Sequence, residues 1–157
     1  MTGIYGTIVL RPSFWQWVVE KLPWIAVNIF GYLFAIDYDM PLLLCLMIAM
    51  TLHLLYMLLY LKMTKYTITN EEIIFEHGVL ARQKEYIEMF RIIDFREDVS
   101  FLQNIFDLKT LNVYSGDRTM PELKIKGIFI GLQLVSTIRA RVNLARKNRG
   151  IYEITNR

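Results

Sequence analysis

Cysteine is nearly absent from this chain. Among 157 residues there is one, Cys45, and it lies inside an apolar run. A single thiol excludes an intramolecular disulfide and a cysteine metal cluster. The segment from residue 65 onward has no cysteine, which fits a reducing compartment. Histidine is scarce too: His53 and His77 are the only two, and no Cys/His metal-ligand spacing exists. Glycine-rich phosphate loops are missing. Gly127 and Gly131 are isolated, with neither a Walker lysine nor a dinucleotide fingerprint. No serine has a histidine partner in a recognisable motif. Asp94, Glu97 and Asp98 imitate a carboxylate cluster, but strand alternation sends neighbouring side chains to opposite faces. Glu71-Glu72 reads as a polar turn. These absences predict a chain that is not an enzyme, with no cofactor, no metal and no small-molecule substrate.

Charge is missing from the first part of the chain. Residues 1–64 carry three Lys/Arg (Arg11, Lys21, Lys62) and three Asp/Glu (Glu20, Asp37, Asp39), against fifteen and twelve in the remaining 93 residues. The break near residue 62 is the best domain boundary. It divides an N-terminal segment and hairpin (1–64) from a water-facing domain (65–150) and a short tail (151–157). The overall composition is 54% hydrophobic, high for a soluble protein of this length.

What fills the uncharged region is apolar sequence of membrane-spanning length. Leu42 to Leu61 is 20 residues without a formal charge. At about 1.5 Å rise per residue this covers the roughly 30 Å of bilayer hydrocarbon. Pro41 suits the first turn, and Lys62 and Lys65 end the run. A domain this small has no means of surrounding such a helix as a buried core element. The first span is less clean. Leu22 to Ile36 is 15 uncharged residues and must borrow length from Phe14–Val19. Its start lies between Phe14 and Pro23, giving spans of about 17–36 and 42–61. Trp15, Trp17 and Trp24 suit an interfacial belt. No cleavable signal peptide is evident.

Asp37-Tyr38-Asp39-Met40-Pro41 is a short acidic turn, so the two helices are antiparallel neighbours. Arg11, Lys21, Lys62 and Lys65 flank one side and no Lys or Arg lies in the loop. The positive-inside rule then predicts a multi-pass protein of a bacterial cytoplasmic (inner) membrane with both termini cytoplasmic. Asn28 and His53 fall within the spans, and antiparallel pairing brings them within about a turn of each other. One reading is a proton or ion site, and hence a small channel or transporter subunit. The favoured reading is an interhelical polar contact, since no Asp or Glu lies in the spans beyond the Glu20 edge.

From Lys65 the pattern changes to short alternating runs: 66–69, 73–76, 79–87, 92–99, 111–114 and 123–126. Their spacing, with turns such as Ser115-Gly116-Asp117 between them, predicts an antiparallel meander or barrel with one wet face. Phe101–Phe106 has helical spacing after Ser100. Ile130 to about Asn148 is an amphipathic helix with Leu134, Ile138 and Val142 on one stripe and cations toward its end, where they complement the helix dipole.

Strands followed by one amphipathic helix form the pattern of a pleckstrin-homology-type domain. The chain resembles the bacterial membrane-anchored pleckstrin-homology-like family, whose members have a transmembrane hairpin directly before such a domain. The matching residues are Tyr66-Thr67-Ile68-Thr69, Gly78, Ile87–Asp94, Phe101–Leu108 and Leu111–Gly116. The family often carries glycine where Asp107 stands. The resemblance implies a membrane α-helical hairpin plus an α+β, PH-like antiparallel barrel or sandwich with a C-terminal amphipathic helix, and brings no catalytic residues.

Two basic groups are candidate contacts for lipid or a partner. Arg82 and Lys84 lie two apart on one strand, with Arg91 and Arg96 nearby, although Glu85 and Glu88 dilute their field. Arg139, Arg141, Arg146, Lys147 and Arg149 lie along the last helix, against anionic headgroups, in solvent, or on an acidic partner. Nucleic acid is not an expected partner, given a net charge of only +3 and no identifiable stacking aromatics. The leading expectation is a membrane-anchored scaffold, a subunit of a larger inner-membrane assembly that binds other membrane or cytoplasmic proteins or itself. An anionic-lipid-sensing module is the second.

Overall fold

The computed structural model describes residues 5–150. The tail expected at 151–157 lies outside the described residues. Strand β1 (Ile8–Leu10) is followed by two long helices, α1 (Phe14–Asp37) and α2 (Pro41–Met63). Then come β2 (Lys65–Ile68), β3 (Glu72–His77), β4 (Gln83–Glu88), a 3-10 turn (Met89–Arg91) and β5 (Ile92–Asp98). A short helix α3 (Phe101–Ile105), strands β6 (Leu108–Ser115) and β7 (Glu122–Phe129), and helix α4 (Leu134–Asn148) complete the chain.

The long helices form where charge is absent. Ser13, in extended conformation, caps α1, its hydroxyl accepting from the Trp15 N–H. The helix runs unbroken from Phe14, so Pro23 lies inside it. Proline costs one backbone hydrogen bond there, a loss that long helices absorb as a local bend. Pro41 opens α2 from its first turn, and Lys62 stands in its last turn. Both helices are long and apolar enough to cross a membrane, and only 11% of each apolar stretch is buried within the protein. A core helix of a soluble domain would be mostly covered. Exposed Leu, Phe and Ile side chains all around a helix belong in hydrocarbon.

The strands form two antiparallel sheets, ordered β1-β2-β3-β4 and β5-β6-β7. Their inward residues alternate with period two, as Tyr66 and Ile68 do on β2 and Leu123 and Ile125 on β7. Ile138 and Val142 of α4 are buried in the same core. Ser100 and Gln103 form a reciprocal capping box that starts α3. Asp107, where the resembled family often has glycine, sits at φ 52°, in the left-handed region. Glycine is favoured there, and aspartate tolerates it better than most residues.

Two features depart from the sequence expectation. The third strand begins at Gln83 rather than Val79, because Gly78 adopts φ +107° and turns so tightly that a Cβ would meet the Ala81 carbonyl oxygen. The sheet also reaches back across residue 64. β1 pairs with β2 in the register Ile8↔Ile68, Val9↔Thr67, Leu10↔Tyr66. The long hairpin is therefore an insertion between two adjacent antiparallel strands, and both of its ends are fixed to one sheet edge.

Candidate membrane-facing interface

The joint between hairpin and sheets is built largely from polar contacts, among which Gln16 and Gln103 are buried. Ser13 N–H donates to the Gly127 carbonyl at 2.9 Å. Gly127 lies at φ +65°, and a Cβ there would come within 2.6 Å of the Gln16 Cβ. One turn into α1, the Gln16 carboxamide oxygen accepts from Gln103 Nε2 at 2.9 Å, and Gln103 also donates to Thr110 Oγ1 at 2.8 Å. Gln16 Nε2 donates to Glu20 Oε1, which also accepts from Lys126 Nζ at 2.9 Å. Trp15 stacks on Phe106 with ring centroids 4.7 Å apart. On the other helix, Tyr60 Oη and His77 Nδ1 share a hydrogen bond of 2.9 Å. Thus α1 is tied to α3 and β7, and α2 to β3. Beneath the joint, Tyr66 donates to the Lys124 carbonyl at 3.0 Å, and burial pushes its phenol pKa up.

Within the hairpin, Asn28 Nδ2 donates to the Met47 carbonyl at 3.0 Å. Its Oδ1 accepts from Thr51 Oγ1 at 3.1 Å, and Thr51 also shares a hydrogen bond with Tyr32. The interhelical polar contact expected of Asn28 and His53 therefore forms from Asn28 and Thr51. His53 is exposed and lines an apolar groove with Trp24, Val27 and Met50. Two residues along a helix amount to about 200° of rotation, so Thr51 and His53 face different ways.

The basic residues singled out in the sequence do not form one surface. Arg141 is corrected outright: it is 2% exposed and reaches neither lipid nor solvent. Its guanidinium donates to the carbonyls of Ile68 (2.9 Å), Thr69 (3.0 Å) and Gly6 (2.7 Å), tying α4 to the end of β2 and the approach to β1. Burial lowers its pKa. Arg146 donates to the Ile92 carbonyl at 2.8 Å. Arg91 and Arg149 come together over Phe90, and both bond Glu88, at 2.7 and 3.4 Å. Arg96 pairs with Asp98 at 2.8 Å. Arg139 lies 5.9 Å from the Phe95 ring centroid, and Lys147 is exposed. Lys84 pairs across the sheet with Glu76 at 3.3 Å, which holds that carboxyl below its ordinary range. Arg82 precedes β4 and lies in the turn, where it joins Arg11, Lys62 and Lys65 around a cleft. Arg11, Lys62 and Lys65 entered the sequence reading as the charges that flank and end the spans.

Sequence reasoning missed Gln16 and Gln103. Their one visible signal is a glutamine inside the apolar run Phe14-Trp15-Gln16-Trp17-Val18-Val19. It also missed Lys109, buried with Nζ on Glu97 (2.7 Å) and on the Leu132 carbonyl (2.9 Å). Around α3 and the link from β7 to α4, large apolar side chains remain uncovered: Phe101 is 81% exposed, and Ile105, Phe129 and Leu132 are also exposed. Among the described residues, no group of three or more His, Cys, Asp or Glu side chains is placed to hold a metal ion.

Two membrane-length helices inserted into a seven-strand, two-sheet fold closed by a C-terminal helix define a membrane-associated protein with a PH-like fold. The chain belongs to the bacterial PH domain family, whose model matches residues 8–146. The match begins on the first residue of β1 and so takes in the hairpin. The family points to a membrane- or protein-interaction module and is generally non-catalytic. No curated protein and no solved structure matches the chain.

Proposed function

We propose that this protein is a non-enzymatic, membrane-anchored adaptor whose PH-like domain receives a partner protein at the surface of the bacterial cytoplasmic membrane. The observation that carries this reading is the uncovered apolar face of Phe101, Ile105, Phe129 and Leu132. Contiguous exposed apolar surface marks interaction sites rather than ordinary solvated surface. The face adjoins the root of α1 through the Trp15–Phe106 stack, so a partner seated there is held at the membrane. In this reading the hairpin spans the bilayer, both termini and the domain are cytoplasmic, and the acidic loop Asp37–Asp39 lies outside. The uneven placement of Arg11, Lys21, Lys62 and Lys65 supports that orientation. The exposed placement of His53 favours anchoring over ion conduction.

The test is a photo-crosslinking residue at position 101 of the full-length chain in native membranes. A discrete protein adduct, lost when Ile105→Asp and Phe129→Asp accompany the probe, is the expected result. Adducts to lipid alone would overturn the adaptor reading and reassign the face to the bilayer.

A further inference from the structure

At the base of α2 lies a cleft of about 210 Å³, lined by Arg11, Lys62, Met63, Lys65, Glu76, His77 and Arg82. Three separate parts of the chain supply its cations: the segment before α1, the end of α2 with the start of β2, and the turn before β4. Its one carboxylate, Glu76, is already engaged, by Lys84 at 3.3 Å and by Lys65 at 3.7 Å. His77 is held by Tyr60 at 2.9 Å and faces Glu85 at 3.3 Å. Arg11, Lys62 and Arg82 have no hydrogen-bond or ion-pair partner among the described residues. Cations gathered around a cleft with their charge unspent form an anion site.

The depth of the cleft says which anion. Counting about 20 residues of helix from Leu42 for the hydrocarbon layer ends near Leu61. Lys62 and Met63 then stand at the start of the headgroup layer. The Tyr60–His77 bond brings the end of β3 to that level, and the turn Gly78–Arg82 leaves from there. Leu80, at the tip of that turn, is 94% exposed, the most exposed large apolar side chain in the described protein. An isolated leucine beside arginine and lysine at this depth suits an interface where the apolar group enters lipid and the cations meet phosphate.

We infer that this cleft binds the phosphate-bearing headgroup of an anionic phospholipid, with Leu80 seated beside the acyl chains. The inference rests on the hairpin crossing a bilayer and is independent of the adaptor reading. Arg11, Lys62 and Arg82 donate to phosphate oxygens, Arg through its planar fork and Lys as a point charge. Lys65 turns from Glu76 toward the same group.

Native mass spectrometry of the full-length protein, titrated in detergent with phosphatidylglycerol or phosphatidylcholine, tests this. Phosphatidylglycerol is retained preferentially. Arg82→Gln and Arg11→Gln each weaken its retention about fivefold, and Lys147→Gln leaves it unchanged. Arg82 sits in an exposed turn, so its variant keeps the fold, which the unfolding temperature verifies. Equal retention of the two lipids, or an Arg82→Gln variant that binds as the native chain does, overturns the inference. Displacement of phosphatidylglycerol by inorganic phosphate at equal concentration also overturns it, by identifying a soluble phosphate as the ligand. Because Arg82 and Phe101 lie on different elements, Arg82→Gln leaves crosslinking from position 101 intact, and failure of one idea is separable from failure of the other.

Discussion

Gln103 donates from its carboxamide to that of Gln16 across 2.9 Å, although 87 residues separate them in sequence. Both side chains are buried, so neither exchanges its partner for water. This bond joins the first turn of the membrane hairpin to the α3 helix that carries the exposed Phe101. Through it the hairpin is tied to the helix that carries the proposed adaptor face.

The closest approach of hairpin and sheet tests that coupling. Gly127→Ala places a Cβ 2.6 Å from Gln16 Cβ at a backbone φ of +65°. The strained backbone and the overlap together cost about 2–4 kcal/mol. Gly131→Ala, with nothing within 4 Å, serves as the control and changes stability little. Thermal unfolding in detergent reads both. A Gly127→Ala variant as stable as the native chain would mean that α1 does not pack against β7.

Arg141 should behave as a structural residue. Arg141→Ala leaves the carbonyls of Ile68, Thr69 and Gly6 without their donor and costs about 3–5 kcal/mol. Arg141→Lys recovers less than half of that, because an ammonium does not span three carbonyls as the guanidinium fork does. Retention of phosphatidylglycerol per folded molecule stays unchanged in Arg141→Lys. Denaturant unfolding and native mass spectrometry separate the two effects.

Within the hairpin, Asn28→Leu removes the bonds to Met47 and Thr51 and weakens helix association by about 0.5–2 kcal/mol. His53→Leu is neutral or slightly stabilising, since that side chain faces outward. Resistance of the purified protein to SDS unfolding ranks the variants. Equal losses from both substitutions would restore the pairing of Asn28 with His53.

Much of this architecture was legible in the sequence because it rests on local patterns. Leu42–Leu61 needs only its length and lack of charge to read as a span. The alternating strands and the helical spacing after Ser100 announce themselves within a few residues. The less legible features depend on contacts far apart in the chain. β1 is three residues long, and its partner strand lies beyond the whole hairpin, so nothing near Ile8 signals a sheet. Arg141 sits in a run of cations and reads as solvated; only the three carbonyls around it show otherwise. The cleft at the base of α2 was not legible, although Arg82 was already a candidate contact, because Arg11, Lys62 and Arg82 come from three segments. Their convergence follows from inserting the hairpin between paired strands.

Every functional inference depends on the hairpin crossing the bilayer with the domain opposite its acidic loop. In a Cys45→Ser background, single cysteines at Tyr38→Cys in the loop and Arg118→Cys in the β6–β7 turn report the two sides to a membrane-impermeant maleimide. With this topology, intact cells label at position 38 and not at 118, and position 118 labels once the membrane is opened. Labelling of both positions in intact cells, or of position 118 alone, would contradict it.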